Sequence, residues 1–121
     1  MLNNKIPFVS ENINMKNAIL NIDRKRLGTI ILRNNNGSTT GILTDGDLKR
    51  LSSRYQNLKN FKVKKVMKRN PISVDKNMLA AQALSLMNMK KITSLCVHEK
   101  NKKKKTIGFI HIHNILDANI S

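Results

Sequence analysis

Hydrophobic and polar positions along the first half of the chain predict short strands and amphipathic helices. Apolar side chains after Asn14 recur at helical spacing, and Asn14 can cap that helix. The β-branched run 29–32 and the turn-forming run 34–38 predict a hairpin. In chain order, the predicted elements are an extended segment at 6–9, a helix at 14–26, strands at 29–32 and 39–44, and a helix at 47–54.

The same order of patterns begins again after a lysine-rich connection. Leu58 to Met67 carries isolated apolar anchors among lysines, which is typical of a linker. In chain order, the predicted elements that follow are an extended segment at 70–74, a helix beginning at Asn77, strands at 93–98 and 106–110, and a helix at 112–118. The lysine-rich run 100–105 predicts a solvated turn between the two strands.

Equivalent residues in the two halves recur at fixed spacing, which indicates an internal repeat. Val9 and Val74 are 65 positions apart, and past the turn Gly41 and Gly108 are 67 apart. We predict a mixed α/β (α+β) fold of two β-α-β-β-α repeats packed with pseudo-twofold symmetry. The expected boundaries are a first repeat at 1–56, a linker at 57–66 and a second repeat at 67–121.

Length and cysteine content narrow the class of protein. A chain of 121 residues makes one ordinary domain or two small ones. The single cysteine, Cys96, excludes an internal disulfide and lies in an apolar run, so we expect a buried structural thiol and a reducing, cytoplasmic setting. No apolar run approaches the ~20 residues of a membrane span, so we expect no membrane partner.

The net charge of +16 favours anionic partners in general. The lysines are scattered, however, and aromatic residues that could stack on bases make up only 3% of the chain. Lys, Asn and Ile are all abundant, which is typical of compositional drift. We therefore do not expect nucleic acid to be the main partner.

The run GILTDGDLKR at 41–50 predicts a strand, a tight turn and the start of a helix. Asp47 can accept hydrogen bonds from the free N–H groups at that helix start. Alternatively, the hydroxyl of Thr44 and the helix N–H groups can face a phosphate, while the Asp47 carboxylate accepts from sugar hydroxyls. A capped helix without a ligand fits the same residues.

Two histidines, His111 and His113, form a His-x-His that could share a metal if both lay on one strand. The only further candidate ligands are His98 and Cys96, and the strand is expected to end near Ile112, so we predict no metal site. No Ser-His-Asp, Cys-His or paired-carboxylate pattern is present, so we predict no catalytic residues.

The two repeats, each with a Gly-apolar-apolar-x-x-x-Asp/Asn step, resemble a tandem pair of cystathionine-β-synthase (CBS) domains, a Bateman module. More narrowly, GILTDGDLKR at 41–50, AAQALSLM at 80–87, KITSLCV at 91–97 and IGFIHIHNIL at 107–116 resemble the C-terminal half of bacterial D-arabinose 5-phosphate isomerases. In that family an N-terminal sugar-isomerase (SIS) domain performs the aldose–ketose chemistry. No SIS domain is present in this sequence, so we expect the chain by itself to be no enzyme.

The resemblance implies which residues bind a ligand. In CBS modules the Thr/Ser and Asp of the step bind the phosphate and ribose of nucleotides, which here are Thr44 and Asp47, with Gly41 and Ile42 on the strand before them. In the second repeat His111 replaces the hydroxyl and Asn114 the carboxylate, so that half lacks the charge-assisted acceptor.

The leading hypothesis is a regulatory module of a Kdo/lipopolysaccharide-pathway isomerase that needs no cofactor and senses a nucleotide or nucleotide-sugar effector. The resemblance also implies a homo-oligomer and an SIS isomerase domain in the parent chain. Two alternatives are an oligomerisation module without a ligand and a basic domain that binds nucleic acid.

Overall fold

The computed structural model describes residues 6–25 and 28–112, which form two compact units. One unit comprises Pro7–Pro71, and the other comprises Ile6 and the described residues from Ile72 onward. Both units combine helices with a β-sheet, so the predicted mixed α+β class is confirmed. The pseudo-twofold packing of the repeats stays a prediction.

The first unit contains a four-stranded sheet in the order β1-β2-β3-β4, with β1 parallel and β4 antiparallel to its neighbour. Its elements are β1 Phe8–Ser10, α1 Met15–Lys25, β2 Thr29–Arg33, β3 Thr39–Thr44, α2 Asp45–Arg54, a 3-10 turn Leu58–Asn60, α3 Val63–Val66 and β4 Lys68–Arg69. The predicted cap of α1 is present, since Asn14 Oδ1 accepts from the Asn17 N–H at 3.0 Å.

The second unit has a three-stranded sheet in the order β5-β6-β7, with β5 parallel and β7 antiparallel to β6. Its elements are β5 Ser73–Asp75, α4 Ala80–Lys90, β6 Ser94–His98 and β7 Thr106–His111. The order β-α-β-β therefore recurs in both units, as predicted. The predicted helix at 112–118 lies outside the described residues beyond Ile112.

Each unit has its own apolar core, built from one face of its helix and alternate positions of its sheet. In the first unit Met15, Ile30 and Leu43 are fully buried. In the second unit Met87 and Leu95 are fully buried. No helix of the described chain is long and apolar enough to cross a membrane.

The segment 57–66, predicted as a linker, is docked onto the first unit. Val63 is fully buried, its N–H donates to the Ile13 carbonyl at 2.9 Å, and the Phe61 carbonyl accepts from the Met15 N–H at 2.7 Å. Beyond it, β4 pairs with β3. The repeat boundaries at 1–56 and 67–121 stay a prediction.

Two predicted boundaries are wrong for local reasons. Helix α4 begins at Ala80 rather than Asn77, because the Asp75 carboxylate accepts from the Asn77 N–H at 2.9 Å and holds a turn after β5. The extended segment predicted from residue 70 does not include Asn70, whose φ of 52° is left-handed. Asn tolerates that conformation better than most residues, and the chain there turns from β4 toward β5.

Candidate functional site

The candidate site is the step from β3 into α2, where the strand ends at Thr44 and the helix begins at Asp45. Thr44 has extended backbone and is the N-cap residue; its Oγ1 accepts from the Asp47 N–H at 3.1 Å. In return, Asp47 Oδ2 accepts from the Thr44 N–H at 3.0 Å. This reciprocal capping box satisfies two N–H groups that a helix start leaves without partners.

The predicted start of α2 at Asp47 is therefore wrong: Thr44 is the N-cap, and Asp47 completes the capping box from the third helical position. Both Thr44 and Asp47 are residue types that can occupy an N-cap, and the sequence alone does not rank them. With Asp47 in the third helical position, its carboxylate points back to the Thr44 backbone. The carboxylate is thereby drawn into the protein, and the residue is only 4% exposed.

Two cations meet the buried carboxylate. Arg50 lies one turn further along α2, and its Nη2 is 2.6 Å from Asp47 Oδ1. Lys68 comes from β4, and its Nζ is 3.2 Å from the same oxygen. Both cationic side chains are more than half exposed, so their remaining N–H donors face water.

The charge state of Asp47 follows from these contacts. Burial by itself would raise the pKa of the Asp47 carboxyl, but hydrogen bonds from Arg50, Lys68 and Thr44 outweigh it and hold the pKa below its ordinary value. The carboxylate is therefore ionised at neutral pH. It can act as a charged acceptor for hydroxyl or cationic groups.

The two other predicted residues of this half, Gly41 and Ile42, lie on β3 beside β4. Ile42 is paired with Lys68 and Gly41 with Arg69. A Cβ on Gly41 would come within 2.8 Å of Met67 Cγ and 3.0 Å of the Lys68 carbonyl. Only glycine therefore allows β4 to lie this close to β3. Gly41 thus helps to place Lys68 at the Thr44–Asp47 step.

In the second repeat, His111 and Asn114 take the positions that Thr44 and Asp47 hold in the first. His111 is the last residue of β7 and is paired with Ser94 of β6. Asn114, predicted as the counterpart of Asp47, and His113 lie outside the described residues. The roles predicted for His111 and Asn114 stay predictions.

Within the described residues, no three His, Cys, Asp or Glu side chains lie close enough together to hold a metal ion. Cys96, which was considered as a ligand, is buried, and burial raises the pKa of its thiol to about 11. His98 is also buried, and its Nδ1 is hydrogen-bonded to Ser73 Oγ. The expectation of a buried structural thiol at Cys96 is confirmed.

Sequence reasoning did not place Lys68 or Arg50 at Asp47. The spacing of Asp47 and Arg50 is one that pairs side chains on a helix, so their contact could have been found. Lys68 follows Asp47 by 21 positions and reaches it only because the two-residue strand β4 pairs with β3. Nothing in the local sequence signals that pairing.

With this geometry in place, comparison with known proteins gives the class. The model of the CBS domain family matches residues 1–54 and 63–121. The chain therefore belongs to the CBS domain family and contains the domain twice, as the resemblance implied.

The curated relatives include arabinose 5-phosphate isomerases named KdsD. The protein from Yersinia pestis is 37% identical and that from Escherichia coli K12 is 32% identical, each over 116 residues. Both alignments cover 96% of this chain but only 34% of the relative. The chain thus spans about a third of the length of these relatives.

Solved structures show the same fold at lower identity. A CBS-domain containing protein from Agrobacterium tumefaciens has a TM-score of 0.87 at 18% identity, covering 94% of this chain and 84% of its own. CBSX2 in complex with AMP has a TM-score of 0.80 at 20% identity, covering 96% and 88%. The CBS domain of a bacterial CNNM/CorC family Mg²⁺ transporter in complex with ATP has a TM-score of 0.76 at 16% identity, covering 96% and 81%.

Proposed function

We propose that this chain is a regulatory CBS pair that binds a nucleotide or nucleotide-sugar at the Thr44–Asp47 step. We further propose that it acts on an SIS-type arabinose 5-phosphate isomerase domain in the Kdo/lipopolysaccharide pathway, in the cytoplasm. The KdsD relatives support the link to that isomerase. The AMP and ATP complexes of CBS-domain structures support a nucleotide as the ligand class.

The observation that carries the proposal is the buried, ionised carboxylate of Asp47 beside the start of α2. Asp47 is 4% exposed, yet it is kept charged by donors from α2, β4 and the Thr44 backbone. A ribose diol is recognised best by a charged acceptor, and the N-terminus of a helix favours phosphate. Thr44 and Asp47 are the proposed ligand-binding pair, with Gly41 and Ile42 shaping the strand beside them.

Titration calorimetry tests this directly. AMP, ATP and a nucleotide-sugar such as UDP-glucose are titrated into wild type and into Asp47→Asn, each at low and moderate salt. Loss of the charged acceptor should weaken nucleotide binding about 10- to 100-fold. Asp45→Asn is the matched control, because Asp45 is an exposed carboxylate in the first turn of the same helix.

Binding that is equal in wild type and Asp47→Asn, and that falls steeply with salt, would contradict a specific site. Charge alone gives this pattern, since Asp47→Asn makes the surface more positive.

A second candidate is an assembly module that needs no ligand. It is favoured by the fact that Arg50, Lys68 and Thr44 already give Asp47 hydrogen bonds, so the carboxylate has a structural role of its own. Under this hypothesis no nucleotide raises the melting temperature, and the chain forms a homo-oligomer. Because the net charge opposes association, light scattering should show larger species as salt increases.

The isomerase chemistry is proposed for the parent protein and not for this chain. The chain covers about a third of the relatives, and the resemblance places the chemistry in the SIS domain. We expect the purified chain to convert no D-arabinose 5-phosphate to D-ribulose 5-phosphate. Detectable conversion by this polypeptide would contradict that expectation.

A further inference from the structure

The two cations on Asp47 Oδ1 compete for the acceptor positions that a ribose would use. A carboxylate offers about four acceptor positions, two on each oxygen. Arg50 and Lys68 both donate to Oδ1, and the Thr44 N–H donates to Oδ2. At most one position remains, on Oδ2, whereas a ribose diol presents two hydroxyl donors.

A ribose can therefore gain both of its hydrogen bonds only if Arg50 or Lys68 leaves the carboxylate. The Thr44 N–H is fixed by the capping box, so the mobile partners are the two side chains. Both are free to swing, because their side chains are 64% and 58% exposed. Without a new partner, a displaced cation loses a charge-assisted hydrogen bond.

The two cationic groups also lie close together. Since both are within hydrogen-bond distance of one oxygen, their nitrogens are less than about 6 Å apart, a spacing that two oxygens of one phosphate group can bridge. Arg and Lys are the residues that recognise phosphate through such donors.

From these contacts we propose that Arg50 and Lys68 make the Thr44–Asp47 step selective for phosphorylated nucleosides over free nucleosides. The inference rests on the proposed nucleotide site. In the ligand-free protein the two cations occupy Asp47. When a nucleotide binds, the Asp47 carboxylate accepts hydrogen bonds from the ribose hydroxyls, and Arg50 and Lys68 donate to the phosphate instead. A nucleoside without phosphate must displace Arg50 or Lys68 from Asp47, and it offers the displaced cation no new anionic partner.

The experiment compares AMP with adenosine by titration calorimetry. Wild type should bind AMP at least about tenfold more tightly than adenosine, since a nucleotide adds charge-assisted bonds that the nucleoside lacks. In the double variant Arg50→Met/Lys68→Met, AMP should bind more weakly and adenosine more tightly, so that the ratio falls to within about threefold. Tighter adenosine binding is the decisive readout, because loss of general attraction to anions does not produce it.

The matched control is Lys49→Met/Lys59→Met, which removes the same charge from two exposed lysines that form no ion pair with Asp47. This control should leave the AMP-to-adenosine ratio as in wild type. The inference is overturned if the control lowers the ratio as much as the double variant, or if adenosine binds no more tightly in the double variant. If wild type binds neither ligand, or binds AMP equally with Asp47→Asn, the proposed nucleotide site itself fails.

Discussion

The unit at 7–71 and the unit that begins at Ile72 share a core pattern but differ in their buried polar groups. Within the described chain, the buried carboxylates, Glu11 and Asp47, both belong to the first unit. Each faces a lysine from the segment after α2: Lys64 is 3.6 Å from Glu11, and Lys68 is 3.2 Å from Asp47. The second unit instead buries neutral side chains and His98, which is hydrogen-bonded to Ser73.

This difference indicates that the repeat preserves packing and not chemistry. Apolar positions must fill the same layer in each unit, and hydrophobic residues of similar volume do so in both. A buried charge is tolerated only with partners, so it depends on particular neighbours. The segment 57–69 supplies one lysine to each buried carboxylate of the first unit, and it also adds β4 to the first sheet.

The largest expected effect tests whether the two cores are equivalent. Ile30 and Leu95 are 65 positions apart, and both are fully buried. Ile30→Ala and Leu95→Ala should each lower the free energy of unfolding by about 2–5 kcal/mol, because each leaves a cavity. Urea unfolding measures this. If one variant loses stability and the other does not, the two cores are not equivalent.

The next effect tests the buried ion pairs of the first unit. At neutral pH, Asp47→Asn should lower the free energy of unfolding by about 1–3 kcal/mol, because Arg50, Lys68 and the Thr44 N–H lose a charged acceptor. The exposed Asp45→Asn should cost less than about 0.5 kcal/mol. Urea unfolding of both variants beside wild type gives the two values. Equal losses of unfolding free energy would show that Asp47 contributes no more to stability than an exposed carboxylate.

The same variant gives a pH dependence. The pKa of Asp47 is lowered in the folded protein, so its contribution to stability is present above the unfolded value of ~4 and is lost as pH falls through the folded value. The stability difference between wild type and Asp47→Asn should therefore shrink in acid. A difference that is constant from neutral pH to about pH 2 would show that the carboxylate charge is not involved.

The sequence predicted β2, β3, β6 and β7 and the apolar faces well, because they follow from periodicity that is local to each element. Thr44 and Asp47 could be found because a capping pair and a ligand pair need the same residue types. The start of α4 could not, because the Asp75 turn competes with helix capping by Asn77 over a few residues. The position of Lys68 beside Asp47 could not be predicted, because it depends on pairing between strands that are far apart in sequence.

The smallest effect concerns the end of α4. Lys91 is in the left-handed conformation, with φ of 56°, and its N–H donates to the Asn88 and Met87 carbonyls. Gly28 has a similar φ of 65° and carries no side chain. Lys91→Gly should raise the free energy of unfolding by about 0.5–1 kcal/mol, because glycine adopts this conformation without strain.

Asn101 is the control for this change, since it has φ of 64° but is a residue type that tolerates it. Asn101→Gly should therefore change stability less than Lys91→Gly does. Thermal unfolding of both variants decides this, and an equal gain in both would mean that the strain at Lys91 is not specific to lysine.

The central proposal is that the Thr44–Asp47 step of the first unit is the ligand site, because the second repeat has His111 and Asn114 where the first has the hydroxyl and the carboxylate. The most direct measurement is the stoichiometry of AMP binding by titration calorimetry, in wild type and in Asp47→Asn. The account predicts one AMP per chain in wild type and none at comparable concentration in Asp47→Asn. Two AMP molecules per chain, or one that binds Asp47→Asn as tightly as wild type, would contradict it.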